Sequence, residues 1–230
     1  MQTASRLIVA LDTADLGRAR SWADAVSRHV GLLKVGLEFF LANGAPGFAA
    51  IGGAPIFLDL KLHDIPNTVA GAVRAVLPLK PRMLTVHAGG GPAMIRAAHQ
   101  AAASAGDDRP MILAVTVLTS LDQEDLFGVG VAGPVVEQAL RLGRLAVECG
   151  ADGLVCSPQE VAPLRQALGA SVKLIVPGIR PAGSSADDQG RTMTPADAIA
   201  AGADWIVVGR PITGASDPGL AAADIAVGIR

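Results

Sequence analysis

Asp59, Lys61 and Asp64 stand close together in the stretch Phe57-Leu58-Asp59-Leu60-Lys61-Leu62-His63-Asp64-Ile65-Pro66-Asn67-Thr68. Two carboxylates around one lysine are the material for charge stabilisation and proton transfer. Pro55-Ile56-Phe57-Leu58 is apolar and the charges begin only at Asp59, so the stretch reads as a β-strand. Successive strand side chains point to opposite faces, which puts Asp59 and Lys61 on one face and Leu58 and Leu60 on the other. Pro66 cannot continue a strand and biases Ile65 to extended or turn geometry, so Asp64 falls just past the strand end. A lone Asp-x-Lys at a strand end is commonly a solvated ion-pair ladder. Apolar residues on both faces suit a buried parallel strand instead, and make this stretch the chemical centre.

The elements that must position these residues are visible as a rhythm. Apolar runs recur at 6–12, 32–38, 55–61, 82–88, 111–118, 153–157, 173–178 and 205–210. Stretches with helical spacing lie between them, at 16–29, 68–77, 92–105, 135–149, 158–168 and 195–201. Eight strands alternating with helices in 230 residues predict a closed (β/α)8 TIM barrel of the α/β class. A doubly wound open sheet would carry a Gly-rich phosphate turn after its first strand, whereas this strand ends Ala10-Leu11-Asp12-Thr13. No linker or composition shift divides the chain, so residues 1–230 read as one barrel domain.

In such barrels the active site lies at the C-terminal ends of the strands. Those ends carry Asp12, Lys34, Asp59 with Lys61, His87, Thr119, Ser157, Arg180 and Arg210. Ionisable groups thus gather at one end of strands whose interiors are Val, Ile and Leu. Lys34, between Leu32-Leu33 and Val35-Gly36-Leu37, needs a carboxylate or a wet cavity, or snorkels at the barrel rim. Val207-Val208-Gly209-Arg210 and Val176-Pro177-Gly178-Ile179-Arg180 end the eighth and seventh strands with a glycine and a guanidinium. Phosphate often binds there, although either loop alone reads equally as a Gly turn with a solvated arginine. The small and polar residues 180–191 form either a slack surface loop or a lid.

Other chemistries find less support. None of the four histidines has a His or Cys partner at ligand spacing. Asp59 and Asp64 have the donors for Mg²⁺, but Lys61 between them already supplies a cation, so no metal is expected. Gly89-Gly90-Gly91 lacks the dinucleotide spacing, and no Gly-x-Ser-x-Gly elbow occurs. Half the residues are hydrophobic, the net charge is −2 and Tyr is absent, which offers nucleic acid or an anionic membrane neither a charged footprint nor a stacking platform. Cys149 and Cys156, the only cysteines, read as reduced, packed thiols of a cytoplasmic protein. Leu7-Ile8-Val9-Ala10 is too short for a signal core, and no later run approaches a membrane span.

Asp59-x-Lys61-x-x-Asp64-Ile65-Pro66-Asn67-Thr68 resembles the signature of the orotidine 5′-phosphate decarboxylase family. The resemblance runs through Leu11-Asp12, Lys34-Val-Gly, Val86-His87-Ala88, Leu118-Thr119-Ser120, Pro177-Gly178-Ile179-Arg180-Pro181, Asp188-Gln189 and Val208-Gly209-Arg210-Pro211-Ile212-Thr213. It covers essentially the whole chain and is most similar to the bacterial branch. The wider suprafamily includes Mg²⁺-dependent 3-keto-L-gulonate 6-phosphate decarboxylase and hexulose 6-phosphate synthase, which share Asp-x-Lys-x-x-Asp without Ile-Pro-Asn-Thr.

The resemblance implies decarboxylation of orotidine 5′-phosphate (OMP) to UMP, the last step of de novo pyrimidine synthesis, with no cofactor. It implies an alternating array of Lys34, Asp59, Lys61 and Asp64, with Lys61 giving a proton to C6 and Asp59 beside the leaving carboxylate. Each carboxylate in such an array favours the charged form of the lysine beside it. Asp12 would bind ribose hydroxyls, Thr119 the pyrimidine, and Arg180, Gln189, Gly209 and Arg210 the phosphate. The implied assembly is a homodimer in which Asp64, Ile65 and Thr68 cross the interface to bind the partner's substrate. A Mg²⁺-dependent sugar-phosphate lyase and an inactive binding barrel are the rival readings.

Overall fold

The computed structural model describes residues 5–181 and 192–229. Its strands are β1 (Leu7–Ala10), β2 (Leu32–Gly36), β3 (Ile56–Leu62) and β4 (Met83–His87). They continue with β5 (Met111–Val115), β6 (Gly153–Val155), β7 (Lys173–Val176) and β8 (Trp205–Val208). All pair in parallel and in chain order, and β8 closes on β1 to complete the barrel. The expected (β/α)8 architecture is therefore observed.

Alternation sorts the strand side chains into two layers. Ile8, Ala10, Phe57, Met83, Leu113 and Val207 pack together as the barrel interior. Leu7, Val9, Leu33, Leu58 and Leu84 turn outward into a larger core shared with the helices. Both faces are covered, which is why these strands read as unbroken apolar runs rather than alternating ones.

The helices α1 (Leu16–Val26), α2 (Leu37–Ala50), α3 (Pro66–Val76), α4 (Gly91–Ala103) and α5 (Gln123–Gly128) belong to the first half. The second half carries α6 (Val135–Glu148), α7 (Val161–Leu168), α8 (Pro195–Ala200), α9 (Arg210–Thr213) and α10 (Pro218–Val227). In α3, Val69, Ala70, Val73 and Val76 recur at helical spacing and are buried, while Pro66 occupies the first turn. A proline is at home there because that N–H has no intrahelical acceptor. The helix expected from 68 accordingly begins two residues earlier.

Several boundaries differ from the sequence expectation. Most strands stop earlier at their C-terminal ends, such as β5 at Val115 and β8 at Val208, whereas β3 runs one residue further, to Leu62. An apolar run continues past the point where its neighbour diverges, so composition overestimates the ladder. Arg210, expected on the eighth strand, is the first residue of α9. Four helices, α2, α5, α9 and α10, were not marked by the spacing. In α2 the cause is plain: Gly44 sits at φ 60°, ψ −157° between two helical pieces, and Pro46 follows it.

Ionisable residues are also not confined to one end of the barrel, contrary to the expectation. At the N-terminal ends of the strands, Asp152 accepts both guanidinium nitrogens of Arg109 at 2.6 and 3.0 Å. Asp204 likewise accepts from Arg165 at 2.6 Å, Lys173 at 3.2 Å and the Leu174 N–H at 2.9 Å. These pairs tie neighbouring strand starts together and leave the chemistry to the opposite face.

Candidate active site

A cavity of about 430 Å³ opens at the C-terminal ends of the strands. Asp12, Lys34, Asp59, Lys61, Thr119, Gly178, Arg180, Gly209, Arg210 and Thr213 line it together with Ala10, Phe57 and Val207 of the barrel interior. Asp59 and Lys61 thus share the inward face, as alternation required, while Leu58 and Leu60 join the outer core.

The charged side chains form a chain of alternating sign. Lys34 Nζ lies 2.9 Å from Asp12 Oδ1 and 3.7 Å from Asp59 Oδ2, and Lys61 Nζ lies 2.8 Å from the same Asp59 oxygen. Lys34 and Asp59 are only 9% and 8% exposed, so neither snorkels at the rim. Gly36 makes room for this arrangement: a Cβ there would stand 3.2 Å from both Asp12 Oδ1 and Lys34 Nζ.

Burial and pairing pull the ionisation of these groups in opposite directions. For Asp59, burial pushes the carboxyl upward, but Lys34, then Lys61, and hydrogen bonds from Lys61 and Thr85 outweigh it and hold it below the usual range. For Lys34, burial favours the neutral amine, yet Asp59 and Asp12 prevail and raise it above its ordinary value. Both groups are therefore charged at neutral pH, which a buried ion tolerates only through such partners.

Lys61 has an unusual backbone. Its φ is 48°, left-handed space that a residue with a Cβ seldom enters, and pairing of β3 with β4 is irregular between Leu58 and Leu62. The Lys61 N–H donates to Thr85 Oγ1 at 2.8 Å, and the Thr85 hydroxyl donates to Asp59 Oδ1 at 2.9 Å. Thr85 was missed by sequence reasoning. No local signal marks it, because its place depends on the strand register: Phe57 and Leu58 face Met83 and Leu84, which brings Thr85 next to Asp59. Thr213 on α9 is another cavity-lining residue that the sequence reading did not single out.

Other expected site residues lie elsewhere. Asp64, Ile65 and Pro66 line a separate shallow depression with His63, Gly89 and Gly90. Among the described residues Asp64 makes no ion pair with Lys61; its Oδ1 accepts the Ile65 N–H at 2.6 Å. Ile65 is 66% exposed, and Thr68 is exposed on the first turn of α3. His87 stacks on His63 with ring centroids 5.1 Å apart, and its Nδ1 accepts the Gly89 N–H at 3.1 Å. The Ser157 N–H donates to Glu160 Oε2 at 3.0 Å, a turn-capping contact. Gln189 falls outside the described residues. Cys149 and Cys156 are both buried free thiols. Among the described residues, no helix is long and apolar enough to cross a membrane.

Known proteins share this sequence and shape. A protein of Gluconobacter oxydans named orotidine 5′-phosphate decarboxylase is 55% identical over 226 residues, covering 96% of each chain. One of the same name from Thermobifida fusca is 54% identical, over 97% of this chain and 95% of its own. The crystal structure of orotidine 5′-phosphate decarboxylase from Lactobacillus acidophilus superposes with a TM-score of 0.87 at 38% identity, over 98% of this chain and 99% of that one. With the family's sequence pattern matching residues 5–225 as well, the chain belongs to the orotidine 5′-phosphate decarboxylase / HUMPS family.

Proposed function

We propose that this chain, acting as one catalytic barrel domain, decarboxylates OMP to UMP without a cofactor and that Lys61 supplies the proton to C6. The observation that carries the reading is the Asp12–Lys34–Asp59–Lys61 chain of charges at the mouth of the barrel, with Lys34 and Asp59 buried at its centre. The C6–carboxylate bond breaks, its electron pair stays on C6, and CO₂ leaves. Lys61 then transfers a proton to that carbon and recovers one from solvent. A fixed ammonium beside the carbon stabilises the developing negative charge without reorganisation, and a positioned acid is worth about 10²–10⁴-fold.

Asp59 holds Lys61 in place and stands next to the departing carboxylate. Lys34 lies between Asp12 and Asp59, so it couples the ribose-binding end of the array to the reacting end. Thr119 contacts the pyrimidine; Arg180, Gly209, Arg210 and Gln189 hold the phosphate. Three of these four phosphate residues line the same cavity as Lys61. Gly178, at φ 76°, makes the turn that carries Arg180 to the cavity, a conformation closed to most other residues.

The array is completed in a homodimer, where the partner's Asp64 approaches Lys61 and the partner's Ile65 and Thr68 cover the substrate. The separation of Asp64 from Lys61 within one chain and the exposure of Ile65 support this arrangement. Against a Mg²⁺-dependent sugar-phosphate reaction stands the state of Asp59, whose two oxygens are already taken by lysines and a hydroxyl. Among the described residues no three His, Cys, Asp or Glu side chains converge on a metal position.

The test is to add EDTA-treated protein to OMP and follow loss of the orotate absorbance. Turnover in EDTA is the expected result. No turnover, or turnover restored only by added Mg²⁺, would overturn the reading.

A further inference from the structure

The bond pattern at β3 and β4 assigns a role to a residue outside the charged array. Phe57 and Leu58 face Met83 and Leu84 in register, but the next matched pair is Leu62 with Val86. Four steps along β3 therefore answer two steps along β4, and the surplus chain bulges out of the ladder. Asp59 and Lys61 both lie in that bulge. An N–H removed from a ladder in a covered barrel needs another acceptor, and for Lys61 that acceptor is the Thr85 hydroxyl.

The same hydroxyl serves the carboxylate. A threonine hydroxyl has one proton to give and lone pairs to receive with. Here the proton goes to Asp59 Oδ1 at 2.9 Å while the oxygen receives the Lys61 N–H at 2.8 Å. Asp59 Oδ2 faces the lysines, at 2.8 Å from Lys61 Nζ and 3.7 Å from Lys34 Nζ. Each carboxylate oxygen thus has its own duty, and Thr85 sets the rotation that makes the division. Thr85 is fully buried, so water has no easy path to replace it.

We propose that Thr85 is a positioning residue: its one hydroxyl fixes both the left-handed backbone of Lys61 and the plane of the Asp59 carboxylate, and so sets the direction in which the lysine presents its proton. The inference rests on the reading of Lys61 and Asp59 given under Proposed function. It predicts a defect in the chemical step, because Thr85 reaches the substrate only through those two residues. Displacing a reacting group by about 1 Å costs up to about 10²-fold in rate.

The experiment compares Thr85→Val, Thr85→Ala and Thr85→Ser with the wild type. Measurements are kcat, single-turnover decarboxylation, KM for OMP, affinity for UMP and Tm. Thr85→Val keeps the shape and loses the hydroxyl; Thr85→Ala and Thr85→Ser form a second pair that differs only in the hydroxyl. Expected are a loss of about ten- to hundredfold in the single-turnover rate for Val and Ala, with KM and UMP affinity within about threefold, and near-wild-type chemistry for Ser. Wild-type rates in folded Thr85→Val, an equal loss in Ser and Ala, or a defect confined to KM would each overturn the assignment. Hydroxyl-free variants that fail to fold beside a folded Ser variant would make the hydroxyl a folding element and overturn it too. A wild-type chain inert toward OMP would instead overturn the proposed function, and this inference with it.

Discussion

Lys61→Ala and Asp64→Ala chains, each impaired alone, are expected to restore activity when they meet in one dimer. The reason is geometric: Asp59 lies 2.8 Å from Lys61 in the same chain, whereas Asp64 is turned to its own backbone and lines a different depression. If each site takes Lys61 from one chain and Asp64 from the other, a hybrid dimer puts both lesions in one site and leaves its second site native. Equal mixing makes about half of the dimers hybrids, and so about a quarter of all sites native, under two-fold symmetry. Lys61→Ala homodimers lose the proposed proton donor and should fall by at least about 10²-fold. Asp64→Ala is milder, because Asp59 remains and the Lys61 side chain is 32% exposed to screening solvent. A loss of about ten- to thirtyfold is expected from an ion pair worth about 1.4–2 kcal/mol after screening. The mixture should therefore reach about a quarter of wild-type activity, roughly five- to tenfold above the mean of its parents. The assay is OMP decarboxylation after co-refolding equal amounts of two differently tagged chains, with hybrids isolated through both tags. Purified hybrids that show only the parents' mean would refute the shared site, since an Asp64 completing its own chain's site gains nothing from a partner.

Arg210→Ala should lower kcat/KM for OMP by about ten- to hundredfold, the worth of a charge-assisted phosphate contact, while leaving the slow reaction of orotidine nearly unchanged. Equal fractional losses on both substrates would place Arg210 in another role. For pH, the informative group is His87, which burial first, and then His63 and Lys61, hold below the ordinary 6.5. As pH falls past about 6.5 the unfolded chain takes up that proton before the folded one, so the stabilisation present above this range is lost on acidification. Protonation also takes the Nδ1 lone pair that receives the Gly89 N–H. Tm should fall between pH 7.5 and 5.5, and His87→Asn, which keeps an acceptor, should flatten that slope; an unchanged slope would clear His87 of the effect.

Much of the candidate active site was legible because its signals are local. Asp59 and Lys61 face the same way since strand side chains alternate, and Asp12, Arg180 and Arg210 follow strands whose apolar interiors mark them as barrel elements. Lys34 was conspicuous as a charge inside an apolar run, and it is indeed paired on both sides. The helices that went unmarked have equally local causes, such as the Gly44 kink in α2, where residues that break patterns occur inside an element. Ion pairs at the opposite end of the barrel could not be separated from catalytic charges by composition, because their difference lies only in what they face.

Run length, period and residue type were enough to determine a closed eight-stranded barrel and the face shared by Asp59 and Lys61, while the resemblance of the ordered motifs pointed to the family to which the chain belongs. These are properties of a residue and its near neighbours, and backbone geometry converts them into structure the same way everywhere. Only the tertiary structure decided that Thr85 bridges Asp59 and the Lys61 backbone, that Lys61 adopts a positive φ, and that Asp64 stands apart from the lysine three residues before it. Each of those depends on how β3 meets β4 where their registers part. Inter-strand register is a contest between whole elements brought together from distant parts of the chain, and no window of sequence contains both sides of it.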